Sequence, residues 1–451
     1  MNPKEFLLHE CRNVRSALRE VLRHDYSAGS SKDFYTEFCE RLDFLESLLK
    51  PVDPTDIRML ETFADEVSML SMFVHQIERS HSGEFPWPFT EYLTELATPL
   101  CKENLTQNEG KPIIRVYAEG GLYSYKINLE ADLSVLNVGR RIFTIVFPRT
   151  LKHHVLLHAI FGHEVGHAAW TIPKHNSDLR GKVLGPLRSA GPLTSTSQAT
   201  HWLRNAEAPA EIEDLRKQYE AEPIYTVVDT TQLSYWFQEF MCDLFGLVTF
   251  GPSFIAAHKT LLLALDPTGH RWGPEHPPYI CRRAMLWRAC QHLGWNDYVK
   301  AVKDTQLRSD LQTFLETYLG SNAPGEWEDV FTSGQIATAL DALKAILESV
   351  GCPPYALPDE TTLLPLVRML SDGIPPCGSD LSGTVKPANR KVDFRHILFG
   401  GWVVAEKPAA RESDGEEDEE EKDQFLQINK LCELGLLQQR AIDMHPAGKK
   451  E

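Results

Sequence analysis

Residues 152–170 read KHHVLLHAIFGHEVGHAAW, and this stretch decides the fold. Leu151, Val155, Leu156, Ile160 and Phe161 recur at helical spacing around the pentad His163-Glu164-Val165-Gly166-His167. The pattern predicts a buried helix with a polar spot at its middle, closed by Pro173. Residues four apart on a helix are separated by about 40° around its axis, so both imidazoles can reach one ion. Glu164 lies beside them, placed to take a proton from an attacking water and return it to a leaving amine. Gly162 and Gly166 leave room for a neighbouring element to come close, whereas His153, His154 and His158 point away and read as capping or surface histidines.

A zinc site of catalytic type needs a third protein ligand and an open position. The segment QEFMCD, 238–243, supplies two acids four residues apart on one helical face, 72 residues beyond His167. Glu239 is the expected ligand, and Asp243 the acceptor for the free N–H of a ligand histidine. They stand among Tyr235, Trp236, Phe237, Phe240, Met241, Leu244, Phe245 and Leu247, where unpaired carboxylates are costly. Cys242, between the two acids, reads as a buried structural thiol whose helical angle turns it away from Glu239.

Outward from this pair, residues 4 to about 82 carry three amphipathic helical patterns, expected to form an antiparallel bundle. The segments KPIIRVYAEGG, LYSYKINL and RRIFTIVFPR look like strands of a small sheet. Residues 171 to about 228, rich in Gly, Pro, Ser and Thr, read as an insertion with a short charged helix near 209–220. Helical patterns dominate again from Thr231 onward, with Leu244 to Leu265 read as two buried helices joined at Gly-Pro-Ser. The expected class is mainly α with a small β-sheet, divided into an N-terminal helical bundle (1–84), a catalytic domain (85–297) and a C-terminal helical region (298–451).

The formal charge of -17 disfavours nucleic acid or anionic lipid as partner, since both are held by clustered Lys and Arg. Residues 411–423 carry nine acidic and two basic side chains, read as a flexible spacer dispensable for chemistry. Nine cysteines without a CxxC pair fit reduced thiols, and the N-terminal stretch lacks the apolar core of a signal peptide. A soluble, cytoplasmic protein without a membrane span is expected.

HExxH on one helix followed by ExxxD on a second resembles the gluzincin metallopeptidases. HPPYICRRAML, 276–286, is similar to the HPxxxR segment that follows ExxxD in the branch including HtpX and the CAAX-processing proteases. The resemblance covers about residues 85–295 and implies a zincin-like catalytic domain flanked by helical regions, with Zn2+ as cofactor. It carries His276 over as an oxyanion or substrate contact, with His270 and Tyr279 as further candidates, and leaves Cys281, Arg282 and Arg283 sharing the arginine position. Members of that branch are embedded in membranes, whereas this sequence has no visible span. The resemblance further implies that RRIFTIVF forms the sheet edge to which an extended peptide adds.

The expected function is zinc-dependent endopeptidase activity on a peptide or protein substrate, with Glu164 as general base. The alternative is a noncatalytic zinc-binding scaffold built on a peptidase fold, against which the presence of Glu164 argues. A deformylase would take an upstream cysteine as third ligand, and Cys101 lacks the accompanying motif. The helical flanks suggest restricted access and a regulatory protein partner.

Overall fold

A computed structural model describes residues 2–24, 31–78, 85–102, 113–120, 125–130, 142–189, 230–269, 275–320, 330–378, 392–406 and 417–444. They are mainly helical with one three-stranded mixed sheet, the expected fold class. By contacts the chain divides into two compact units, Met1–His153 and His154–Glu451. The expected boundaries at 84/85 and 297/298 do not coincide with this division.

In the first unit α1 (Pro3–Val21), α2 (Ser31–Leu49) and α3 (Ile57–Glu78) bury one apolar face each. Leu7, Cys11, Val14 and Leu18 meet Phe38, Leu42 and Leu45 from α2 and Phe63, Val67 and Leu70 from α3 in one core. After α4 (Trp87–Lys102) come β1 (Ile113–Glu119), β2 (Lys126–Glu130) and β3 (Ile142–Pro148). Arg115 of β1 ties the sheet to the bundle. Its guanidinium lies 3.9 Å from the centroid of the Phe73 ring and donates to Thr144 Oγ1 and Gln76 Oε1. A buried cation satisfied from both elements explains why the sheet belongs with the helices that precede it.

The strand order is β1-β3-β2, with β3 parallel to β1 and antiparallel to β2. RRIFTIVF therefore does not form an edge, which corrects the expectation of peptide addition along it. The run Phe143, Ile145, Val146 and Phe147 is buried, as a strand paired on both sides demands.

In the second unit the helix predicted over 152–170 is shorter. A 3-10 turn covers Leu157–Ile160 and α5 runs from Phe161 to Thr171. Ile172 is extended (φ -83°, ψ 117°), because Pro173 excludes the helical region for the residue before it. Pro173 then begins α6 (Pro173–Asp178), followed by a π-helical turn, Leu179–Leu184, and α7 (Gly185–Arg188). This part of the expected insertion is thus helical, with His175, Leu179, Val183, Leu184 and Leu187 buried. The helix expected near 209–220 lies outside the described residues.

Next come α8 (Thr230–Phe250), α9 (Pro252–Leu265), α10 (Tyr279–His292), α11 (Trp295–Ala301) and α12 (Thr305–Leu319). The unit closes with α13 (Ser333–Ser349), α14 (Glu360–Ser371), α15 (Phe394–Ala405) and α16 (Glu417–Met444). Gly251, at φ 59°, makes the joint between α8 and α9, and Pro252 takes the first helical position, where its missing N–H costs nothing. Of the expected acidic spacer, residues 411–416 lie outside the described residues, while 417–423 form the opening turns of α16 rather than a spacer. Among the described residues no helix is long and apolar enough to cross a membrane.

The crossing of α5 and α8 positions the site. A Cβ on Gly162 would lie 2.8 Å from Gly246 Cα and 2.6 Å from Thr249 Oγ1, and one on Gly166 would lie 3.1 Å from Cys242 Cα. The helices touch nearly backbone to backbone, which two glycines four residues apart permit. Gly162→Ala is expected to cost about 1–3 kcal/mol by overpacking this crossing. Chemical denaturation measures it, and an unchanged midpoint would mean that the helices can separate freely.

Candidate metal centre

Elementary helix geometry stacks His163 and His167 one turn apart on α5, beside the glycine face that meets α8. Glu239 and Asp243 are likewise one turn apart on α8 and meet them. His163 Nε2 lies 3.0 Å from His167 Nε2 and 3.4 Å from Glu239 Oε2, and His167 Nε2 lies 3.1 Å from Glu239 Oε1. Ligand atoms about 2.0–2.2 Å from a tetrahedral metal ion lie about 3.3–3.6 Å from each other, so the two nitrogens, and the carboxylate that faces one of them with each oxygen, are spaced within a few tenths of an ångström of such a shell. Glu239 Oε2 is buried and has no hydrogen-bond partner among the described residues, a costly arrangement that an ion would relieve. The donor types, two imidazoles and a carboxylate, suit a divalent metal ion.

Cys242 lies closer to the centre than its sequence reading allowed. Its Sγ and the imidazole nitrogens of His163 and His167 all fall within 4.8 Å of one another, and these three residues could hold a metal ion. Residues three apart on a helix are neighbours, so Cys242 shares the face of Glu239 rather than turning from it. Burial pushes the Cys242 thiol well above its ordinary range, and the nearby carboxylates Glu239, Asp243 and Glu164 push it further.

Asp243, fully buried, accepts from His163 Nδ1 at 2.9 Å. It is gripped in turn by Arg282 from α10, with Nε 2.7 Å from Oδ2 and one terminal nitrogen 2.6 Å from Oδ1. The same guanidinium stands 3.5 Å from Glu239 Oε2. Burial alone would raise the Asp243 carboxyl, but the Arg282 charge outweighs it and holds the group well below the usual carboxylate range. Burial likewise opposes ionisation of Glu239, and the facing His163 and Arg282 reverse it. The His163 imidazole is raised, since Glu239 and Asp243 overcome the burial that disfavours its charge. Burial raises the Glu164 carboxyl, opposed by His163 and His167.

Of the three residues sharing the arginine position, Arg282 is the one that enters the site. It is buried among carboxylates, and losing one partner of such a pair costs about 3–5 kcal/mol. Arg282→Met is therefore expected to destabilise the chain by about that amount, read by denaturant titration. A loss under about 1 kcal/mol would mean that Asp243 finds another cation or takes up a proton at little cost.

His276 is 63% exposed at its side chain, with Nε2 3.9 Å from Glu239 Oε2, at the rim of the centre rather than within it. Tyr279 is buried, its ring 5.7 Å from that of His258, and His270 lies outside the described residues. His158 is buried against Phe161 rather than capping or exposed, and His154 stacks on Phe425.

Two neighbours of the centre were not singled out from sequence. His258 of α9 is buried with Nε2 3.1 Å from Asp243 Oδ1, out of line for a hydrogen bond, and burial lowers its pKa to about 4. One histidine in an apolar helix gives no signal of this. Gln238 Nε2 lies 3.1 Å from His167 Nδ1, and its position directly before Glu239 was the available clue. Comparison with protein-family models, with curated proteins and with solved structures finds no match.

Proposed function

We propose that the protein is a zinc-dependent endopeptidase in which His163, His167 and Glu239 hold the ion, Asp243 orients His163, and Glu164 is the general base. The reading is carried by two imidazole nitrogens 3.0 Å apart and a carboxylate that faces one of them with each oxygen, at 3.4 and 3.1 Å, the Oε2 oxygen being buried and without a hydrogen-bond partner among the described residues. Zinc, when bound, supplies Lewis-acid polarisation of the scissile carbonyl and makes water a stronger acid.

The chain's own residues do the rest. Asp243 accepts the Nδ1 proton of His163, which leaves the Nε2 lone pair facing the ion. Arg282 fixes Asp243 in that role. Glu164 takes one proton from water as its oxygen forms a bond to the carbonyl carbon, then passes that proton to the amine as the C–N bond breaks. His276, at the rim of the centre, meets the substrate or its developing oxyanion in this reading.

The full chain should carry about one zinc and cleave members of a mixed peptide library. Chelation should abolish cleavage, and added zinc should restore it. Absence of bound zinc would overturn the reading of the site. A zinc-loaded chain that cleaves nothing would leave a noncatalytic zinc scaffold.

A further inference from the structure

Asp243 accounts for one of the two imidazoles, and the other has a different partner. Gln238 and Glu239 are adjacent on α8, and together they meet both nitrogens of His167: Gln238 Nε2 is 3.1 Å from Nδ1 and Glu239 Oε1 is 3.1 Å from Nε2. Either end of the planar amide can serve Nδ1, its N–H donating to a bare nitrogen or its Oε1 accepting from Nδ1–H. A ligand nitrogen must be bare, so the proton has to reside on Nδ1, where only an acceptor satisfies it.

Resting on the zinc reading above, we propose that Gln238 is a positioning residue for His167, its side-chain amide presenting Oε1 to Nδ1–H when the ion is bound. The amide serves here because it is donor and acceptor at opposite ends of one planar group, satisfying the ring in either tautomer. The two ligand histidines thus differ. His163 is held by a carboxylate that Arg282 locks, and His167 by a neutral amide.

Zinc affinity of the full chain, measured by competition with a chromophoric chelator, tests this through two variants of opposite character. Gln238→Met keeps length and shape but is only a weak acceptor, whereas Gln238→Glu keeps the acceptor and adds charge. Gln238→Met is expected to weaken zinc binding about 10–100-fold, and Gln238→Glu to bind as tightly as wild type or more tightly. Equal binding by Gln238→Met and wild type, or equal weakening by both variants, would overturn the proposal, since a packing role predicts the second pattern. Should Gln238→Met fail to fold, nitrogen-15 spectra of the zinc-loaded wild type decide. The Nδ1 proton of His167 is expected to be visible and slow to exchange with water, and its rapid exchange would refute the hydrogen bond. A wild type that binds no zinc would sink the metal reading and this proposal together, whereas a wild type that binds zinc indifferently to residue 238 would sink this proposal alone.

Discussion

Glu164→Gln is expected to keep about one zinc per chain while peptide hydrolysis falls at least about a hundredfold, the range for loss of a general base. The substitution keeps size and polarity but removes the site that accepts the proton of the attacking water. Glu164 stands next to His163 in the chain yet makes none of the contacts that join His163, His167 and Glu239, so its loss should leave the ligands in place. Metal analysis and single-turnover cleavage on the same sample separate the two effects. Cleavage at the wild-type rate would show that another group carries the proton, and loss of zinc would show that Glu164 helps to bind the ion.

The second large effect concerns the third ligand. Glu239→Ala is expected to reduce bound zinc from about one per chain to near none at micromolar metal, because two imidazoles alone make an incomplete site. Cys242→Ala should retain zinc. The carboxylate lies 3.4 and 3.1 Å from the two imidazole nitrogens, whereas the sulfur falls within 4.8 Å of them, sits under Gly166, and has its thiol pushed upward by burial and the nearby carboxylates. A coordinating sulfur must be deprotonated. If Glu239→Ala keeps its zinc and Cys242→Ala loses it, the centre is His-His-Cys and the ligand set proposed here is wrong. Substituting cobalt for zinc gives an independent readout, since a bound thiolate adds an intense near-ultraviolet charge-transfer band that carboxylate and imidazole do not.

The helical class, the small sheet, the pairing of His163 with His167 on one helix, and the pairing of Glu239 with Asp243 on another are all legible in the amino-acid sequence. Each of these follows from local periodicity: residues four apart on a helix share a face whatever surrounds them, and glycines at 162 and 166 announce a close crossing without naming its partner. The same rule sets Cys242, three residues on, beside Glu239. Where other segments compete, local rules are silent. The order of strands, which puts β3 in the centre of the sheet, depends on which backbone edges find partners, and pairing is a long-range choice. Packing between helices selects Arg282, rather than Cys281 or Arg283, to reach Asp243, sets His258 beside it, and brings Gln238 to the far nitrogen of His167. Those contacts are selected by desolvation. Once α5, α8, α9 and α10 exclude water, each buried charge and ring nitrogen must be met by whichever polar group the packing brings within about 3 Å, and that depends on the register of whole helices against one another.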